Sequence, residues 1–90
     1  MKDKHPLVRA FQTLAVDSRL HIIRMLKGRA LCVGALAARL DVTQGAVSQH
    51  LRVLREAGVV VAEKRGYYVH YRLNDRTLAK WRREITALLS

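Results

Sequence analysis

The sequence predicts a mainly α-helical chain with a small β-hairpin, in the order α-α-α-α-β-β-α. Three observations carry this. Apolar residues recur at three- and four-residue spacing as far as Leu54. The pattern then changes to β-branched and aromatic residues on both sides of Arg65-Gly66. A helical spacing returns for the final segment.

The first helix starts at Pro6, a residue suited to a first turn where its missing N–H is not needed. Leu7, Phe11, Leu14 and Ala15 form its apolar stripe. Asp17 or Ser18 is placed to cap a second helix, with Leu20, Ile22, Ile23 and Leu26 inward and Gly28 at its end. A short third helix runs from about Cys32 to Leu40 and turns Val33, Leu36, Ala37 and Leu40 inward. Asp41-Val42-Thr43 breaks the pattern. Thr43 is the expected N-cap of a fourth helix over 44–57, and Gly58 its C-terminal stop.

Ala46, Val47, Leu51 and Leu54 make the apolar stripe of this fourth helix. Its other face carries Gln44, Gly45, Ser48, Gln49, Arg52 and Arg55. Val59 to Lys64 and Tyr68 to Leu73 form the hairpin, with Arg65-Gly66 at its tip. Alternation puts Tyr68 and His70 on one face and Tyr67, Val69 and Tyr71 on the other, so Val69 and Tyr71 are expected to be partly buried. The last helix starts near Asp75 and reaches Leu88, with Leu78, Trp81, Ile85 and Leu88 as its seam.

The third helix, its turn and the fourth helix match a helix-turn-helix unit, and the hairpin behind them completes a winged helix layout. In such a unit the second helix enters the major groove of double-stranded DNA. Gln, Ser and Arg suit base edges there, and Gly45 permits close approach of the backbone. The chain has 17 Lys and Arg against 7 Asp and Glu, a formal charge of +10, which favours a polyanionic partner. No acidic residue falls between Asp41 and Glu56, while Arg52, Arg55, Lys64, Arg65, Arg72 and Arg76 cluster in the later half. The expected DNA-contacting set is Thr43, Gln44, Gly45, Ser48, Gln49, His50, Arg52, Arg55, Lys64, Arg65 and Tyr67. The basic hairpin residues grip phosphate in one reading and only blunt a sheet edge in the other. His50 either donates to phosphate or packs inside.

With 90 residues the chain is read as one domain, 1–90, that gains stability from a second copy. Leu7, Phe11, Leu78, Trp81, Ile85 and Leu88 are the expected surface of that homodimer. No apolar run is long enough to span a membrane. The opening Met-Lys-Asp-Lys-His-Pro has no apolar stretch of a secretory signal behind it. The single cysteine, Cys32, excludes an intrachain disulfide and fits a reducing cytoplasmic setting. No paired carboxylates, no nucleophile with a base and no glycine-rich phosphate loop point to catalysis, so no catalytic residue is expected.

The stretch from "LAVDSRLHII" through "VSQHLRVLREAGVV" to "GYYVHYRL" resembles the ArsR/SmtB family of bacterial and archaeal repressors, over roughly residues 10–73. That resemblance implies a winged helix homodimer, joined through its first and last helices, that binds an operator and represses transcription. Many members carry a "CVC" metal triplet at the third helix. This chain reads "LCVGAL", with Cys32 kept and Gly34 where the second thiolate would be. Other members place Asp and His ligands on the last helix. Here that helix has Asp75 and Glu84 but no histidine. One thiolate cannot supply the ligand set a soft metal needs. His5, His21, His50 and His70 show no ligand spacing. No metal ligand and no cofactor are therefore expected, and the effector is left open. The alternatives are a winged helix that binds protein, or a regulator with an atypical effector or a thiol response through Cys32.

Overall fold

The computed structural model describes residues 4–90. The opening of the chain, residues 1–3, read above as free of a secretory signal, lies outside them. Five helices and three strands follow in order: α1 Pro6–Leu14, α2 Asp17–Met25, β1 Leu31–Cys32, α3 Val33–Leu40, α4 Gln44–Glu56, β2 Val60–Arg65, β3 Tyr68–Leu73 and α5 Asp75–Leu89. The expected architecture is present, with one added strand. β1 pairs antiparallel with β3, so the sheet has the order β1-β3-β2. Cys32 therefore belongs to β1 and N-caps α3 rather than opening that helix. A two-residue strand carries no alternation for a sequence to display.

Register places residues in rows across the sheet. Leu31, Tyr71 and Ala62 form one row, and Val60 faces Leu73. This face meets the helices. Cys32, His70 and Glu63 form a row on the opposite face, which also holds Val61 opposite Arg72. The core is built from Ile22 of α2 and Leu26 at its C-cap, Leu36 and Ala37 of α3, Val47, Leu51 and Leu54 of α4, and Val59, Val60 and Leu73. Leu78 and Trp81 of α5 pack partly against it.

Several expectations of burial fail for identifiable reasons. Leu20 is 49% exposed, because Ile22 and Leu26 take the inner line, with Ile23 and Met25 packed partly beside them. Ala46 is exposed, since it lies in the first turn of α4 before that helix reaches the core. Val69 is 42% exposed although it shares a face with half-buried Tyr71. It pairs with Lys64 near the hairpin end, beyond the body of the protein. The two-residue turn is Gly66-Tyr67, one place later than expected, because Arg65 pairs with Tyr68 as the last rung. Gly66 takes φ +63 there. Neither Asp17 nor Ser18 caps α2; Val16 occupies the cap with no side-chain bond, and Asp17 stands in the first turn.

Two left-handed residues stand on either side of α4. Asp41 has φ 55, a conformation Asp tolerates, and reverses the chain between α3 and α4. Gly58 has φ +79 immediately beyond α4, and a Cβ there would sit 3.3 Å from Thr77 Oγ1. Glycine thus lets the chain leave α4 and enter the sheet while α5 packs close by.

Candidate nucleic-acid interface

Thr43 starts α4. Its hydroxyl accepts from the Ala46 N–H at 3.1 Å, which satisfies one free donor of the first turn. Val47, Leu51 and Leu54 then lock one side of α4 into the core. Their burial forces Gln44, Gly45, Ser48, Gln49, Arg52 and Arg55 outward, and all six are exposed. None of the polar side chains in this set bonds another side chain or the backbone among the described residues, and neither arginine is in an ion pair. Amides, a hydroxyl and guanidinium groups are thereby presented uncommitted, the set that matches base edges in a major groove. A Cβ on Gly45 would meet only Thr43 Oγ1 at 4.0 Å, so its small size leaves the backbone open to an outside partner rather than relieving an internal clash.

A cleft of about 360 Å³ separates this helix from the sheet, lined by Ser48, Leu51, Arg52, Arg55, Glu56 and Tyr71. On its far side the hairpin projects. Lys64 is exposed and unpaired among the described residues. Tyr67 is 99% exposed at the turn and Tyr68 66% beside it. Arg65 is not free: it reaches Glu63 at 3.2 Å, and Glu63 also accepts from Arg72. The Arg72 hydrogen bond, and then that of Arg65, hold the Glu63 carboxyl below its ordinary value. The hairpin is therefore less cationic than its count of basic residues suggests. Sequence reasoning missed Glu63, although its place opposite His70 and two residues from Arg65 was available from strand alternation.

His50 is half-buried at the margin of the exposed face. Its Nδ1 accepts from Arg19 Nε of α2 at 3.4 Å. The ring thus packs toward α2 while part of it stays accessible. Arg19 was also missed, because it lies about thirty positions away and only folding brings the two together.

The expected dimer surface is divided by the structure. Leu7 is 2% exposed within its own chain, where α1 turns it, with Ala10 and Thr13, toward the protein, so little of it is left for a second copy to cover. Phe11 is 44% exposed and Leu88 53%. Leu78, Trp81 and Ile85 are half-buried and line an open groove of about 590 Å³ together with Leu14, Lys27 and Asp75.

Cys32 is free and half-buried. Its cross-strand neighbour is His70, whose Nδ1 is buried with no hydrogen-bond partner. Among the described residues no three His, Cys, Asp or Glu side chains come together as a metal site, and no helix is long and apolar enough to cross a membrane.

Comparison with known proteins agrees with this geometry. Residues 17–61 match the family model described as bacterial regulatory protein, arsR family. The arsenical resistance operon repressor of Escherichia coli (strain K12) is 41% identical over 68 residues, covering 74% of this chain and 58% of that protein. The transcriptional activator HlyU of Vibrio cholerae is 38% identical over 74 residues, covering 82% and 68%. A crystal structure of a possible transcriptional regulator for arsenical resistance superposes with a TM-score of 0.80 at 34% identity, over 89% of this chain and 83% of that one. The chain spans 50–58% of the length of the first three curated relatives it matches. A family match over half the sequence, joined to a relative covered beyond two thirds, places this chain in the arsR family of bacterial regulatory proteins, with the family's winged helix fold.

Proposed function

We propose that residues 1–90 act as one sequence-specific DNA-binding unit, a cytoplasmic transcriptional repressor that works as a homodimer. The observation that carries this is the outward face of α4. Six positions from Gln44 to Arg55 are exposed, and their polar groups are unclaimed by the protein. A helix so capped and docked is built to lay its early residues against bases, while Lys64 and Tyr67 of the hairpin touch the flanking backbone or minor groove. Repression follows the E. coli relative, which is named a repressor; the V. cholerae relative is named an activator, so the direction of control is tested separately by reporter output.

Two copies are needed for a stable, selective complex. The apolar side of α5 is only partly covered in a single chain: none of its residues is buried, Leu78 and Trp81 pack partly against the core, and Leu88 and Leu89 are 53% and 78% exposed. A symmetric partner covers such a stripe with the same stripe. Two recognition helices then address a palindrome whose half-sites lie about 34–36 Å apart or a multiple of that. No catalytic role is assigned to any residue, and no metal or cofactor is assigned to Cys32 or the histidines.

The test is a DNA-binding titration across salt. Affinity should fall steeply, with a log–log slope of about −0.9 for each phosphate neutralised. A second reading has its own observation: Tyr67, Tyr68 and Val69 make an exposed apolar hairpin end that also suits a protein partner. Purified chain that binds no duplex at low salt selects that second reading.

A further inference from the structure

One guanidinium joins three helices of this protein. Arg19 lies half-buried on α2. Its Nη1 donates to the Thr13 carbonyl at the end of α1, at 3.2 Å. Its Nε donates to His50 Nδ1 on α4, at 3.4 Å. Thr13 is 5% exposed, and its hydroxyl donates back to the Arg9 carbonyl at 2.9 Å, so the anchor on α1 is itself held. No carboxylate pairs with Arg19 among the described residues. Its two protein acceptors among the described residues are neutral, a carbonyl oxygen and a ring nitrogen.

That arrangement dictates the state of His50. A nitrogen that accepts a hydrogen bond carries no proton, so the neutral ring bears its proton on Nε2. Nε2 has no partner among the described residues and is not a buried unpaired atom, so its N–H faces solvent. It does so one residue beyond Gln49, at the rim of the exposed face of α4.

We infer that Arg19 is a positioning residue for DNA recognition: it fixes the tautomer and ring orientation of His50 so that Nε2–H donates to a backbone phosphate, and it ties the angle of α4 to the end of α1. The inference rests on the DNA-binding reading above. It also explains why arginine stands here. A planar fork with several donors at fixed angles spans a carbonyl on one helix and a ring nitrogen on another; a lysine ammonium offers a point charge without that geometry. Arg19 itself does not touch DNA in this scheme, which separates it from Arg52 and Arg55.

The experiment uses the full chain, wild type and the variants Arg19→Gln, Arg19→Lys and His50→Asn. The His50 tautomer is read from ring ¹⁵N shifts in the free protein. Affinity for a duplex obtained by selection, and for a mixed-sequence duplex, is measured across salt. The wild-type ring should carry its proton on Nε2, and that preference should be lost in Arg19→Gln. Arg19→Gln should bind the selected duplex about tenfold more weakly, the scale of one hydrogen bond to a charged group. Its salt slope should stay unchanged because no phosphate contact is removed. Arg19→Lys should recover only part of that loss. His50→Asn keeps an acceptor near Arg19, but its shorter side chain brings no donor to the place of Nε2–H, and it should weaken binding similarly.

A proton on Nδ1 in the wild-type chain overturns the proposal without reference to any variant's fold. So does a slope shallower by about 0.9 in Arg19→Gln, which would put Arg19 directly on a phosphate. Wild-type binding that Arg19→Gln leaves unaltered overturns this inference alone. Wild-type chain that binds neither duplex overturns the DNA-binding reading and this inference with it.

Discussion

Ser48 and Gln49 project from α4 with no protein partner among the described residues, whereas Arg65 is held by Glu63 at 3.2 Å. The two kinds of residue should therefore fail differently. Gln49→Ala or Ser48→Ala should lose about 1–3 kcal/mol of discrimination between the preferred duplex and one with a changed base pair, with a smaller loss of general affinity. Competition binding with single-base variants checks this. Arg65→Ala should weaken all duplexes alike and only modestly, since its charge is already shared with a carboxylate. Glu63 supplies a pH test. Its folded value is lowered, chiefly by the Arg72 bond and next by Arg65. Its contribution to stability is thus present above the unfolded glutamate value and is lost as pH falls through the folded one. NMR titration should find Glu63 below the ordinary glutamate range, and Arg72→Ala should raise it; an ordinary value in the wild type would dissolve the pairing. At this scale the recognition face was legible because α4 has a strong period. Arg19 was not, because its bond to His50 is long-range, and Glu63 was visible as a strand position but not as the shared partner of Arg65 and Arg72.

The elements differ in how plainly they were written. α4 announced itself through Thr43, the Val47-Leu51-Leu54 stripe and Gly58, and it runs within one residue of its expected end. Leu51 is 1% exposed at its centre. Leu51→Ala should cost about 2–5 kcal/mol in denaturant unfolding, the range for a large side chain removed from a core. Thr43→Ala should cost about 1 kcal/mol through the lost cap. A smaller loss for Leu51→Ala than for Thr43→Ala would mean that α4 is docked differently. β1 was illegible for a physical reason. Leu31 and Cys32 become a strand only because β3 lies beside them. The same tertiary override exposes Val69, which has strand character but projects past the core. Leu7 makes the converse case: its stripe was visible, but whether a stripe turns toward its own chain or another depends on where α1 comes to rest.

At the scale of the molecule, shape and charge point the same way. The radius of gyration is 14.0 Å, against roughly 12 Å for a compact domain of this length. The longest axis is 45 Å and the other two 22 and 21 Å. An elongated small chain whose α5 is only half-buried at Leu78 and Trp81 and exposed at Leu88 and Leu89 fits the proposed homodimer. Trp81→Glu should shift the chain to monomers in sedimentation and remove most of the DNA affinity. A folded, DNA-binding dimer from that variant would take α5 out of the interface. The charge of +10 doubles in a dimer and explains attraction to DNA in general, but not the choice of a site. In the proposed function that choice belongs to two copies of α4 held at a fixed spacing. Selection of bound duplexes from a random pool by the purified chain tests this most directly. The account predicts an enriched palindrome, its half-sites about one helical turn apart or a multiple of that, and recovery of no enriched sequence, or of a single motif without its inverted repeat, would contradict it.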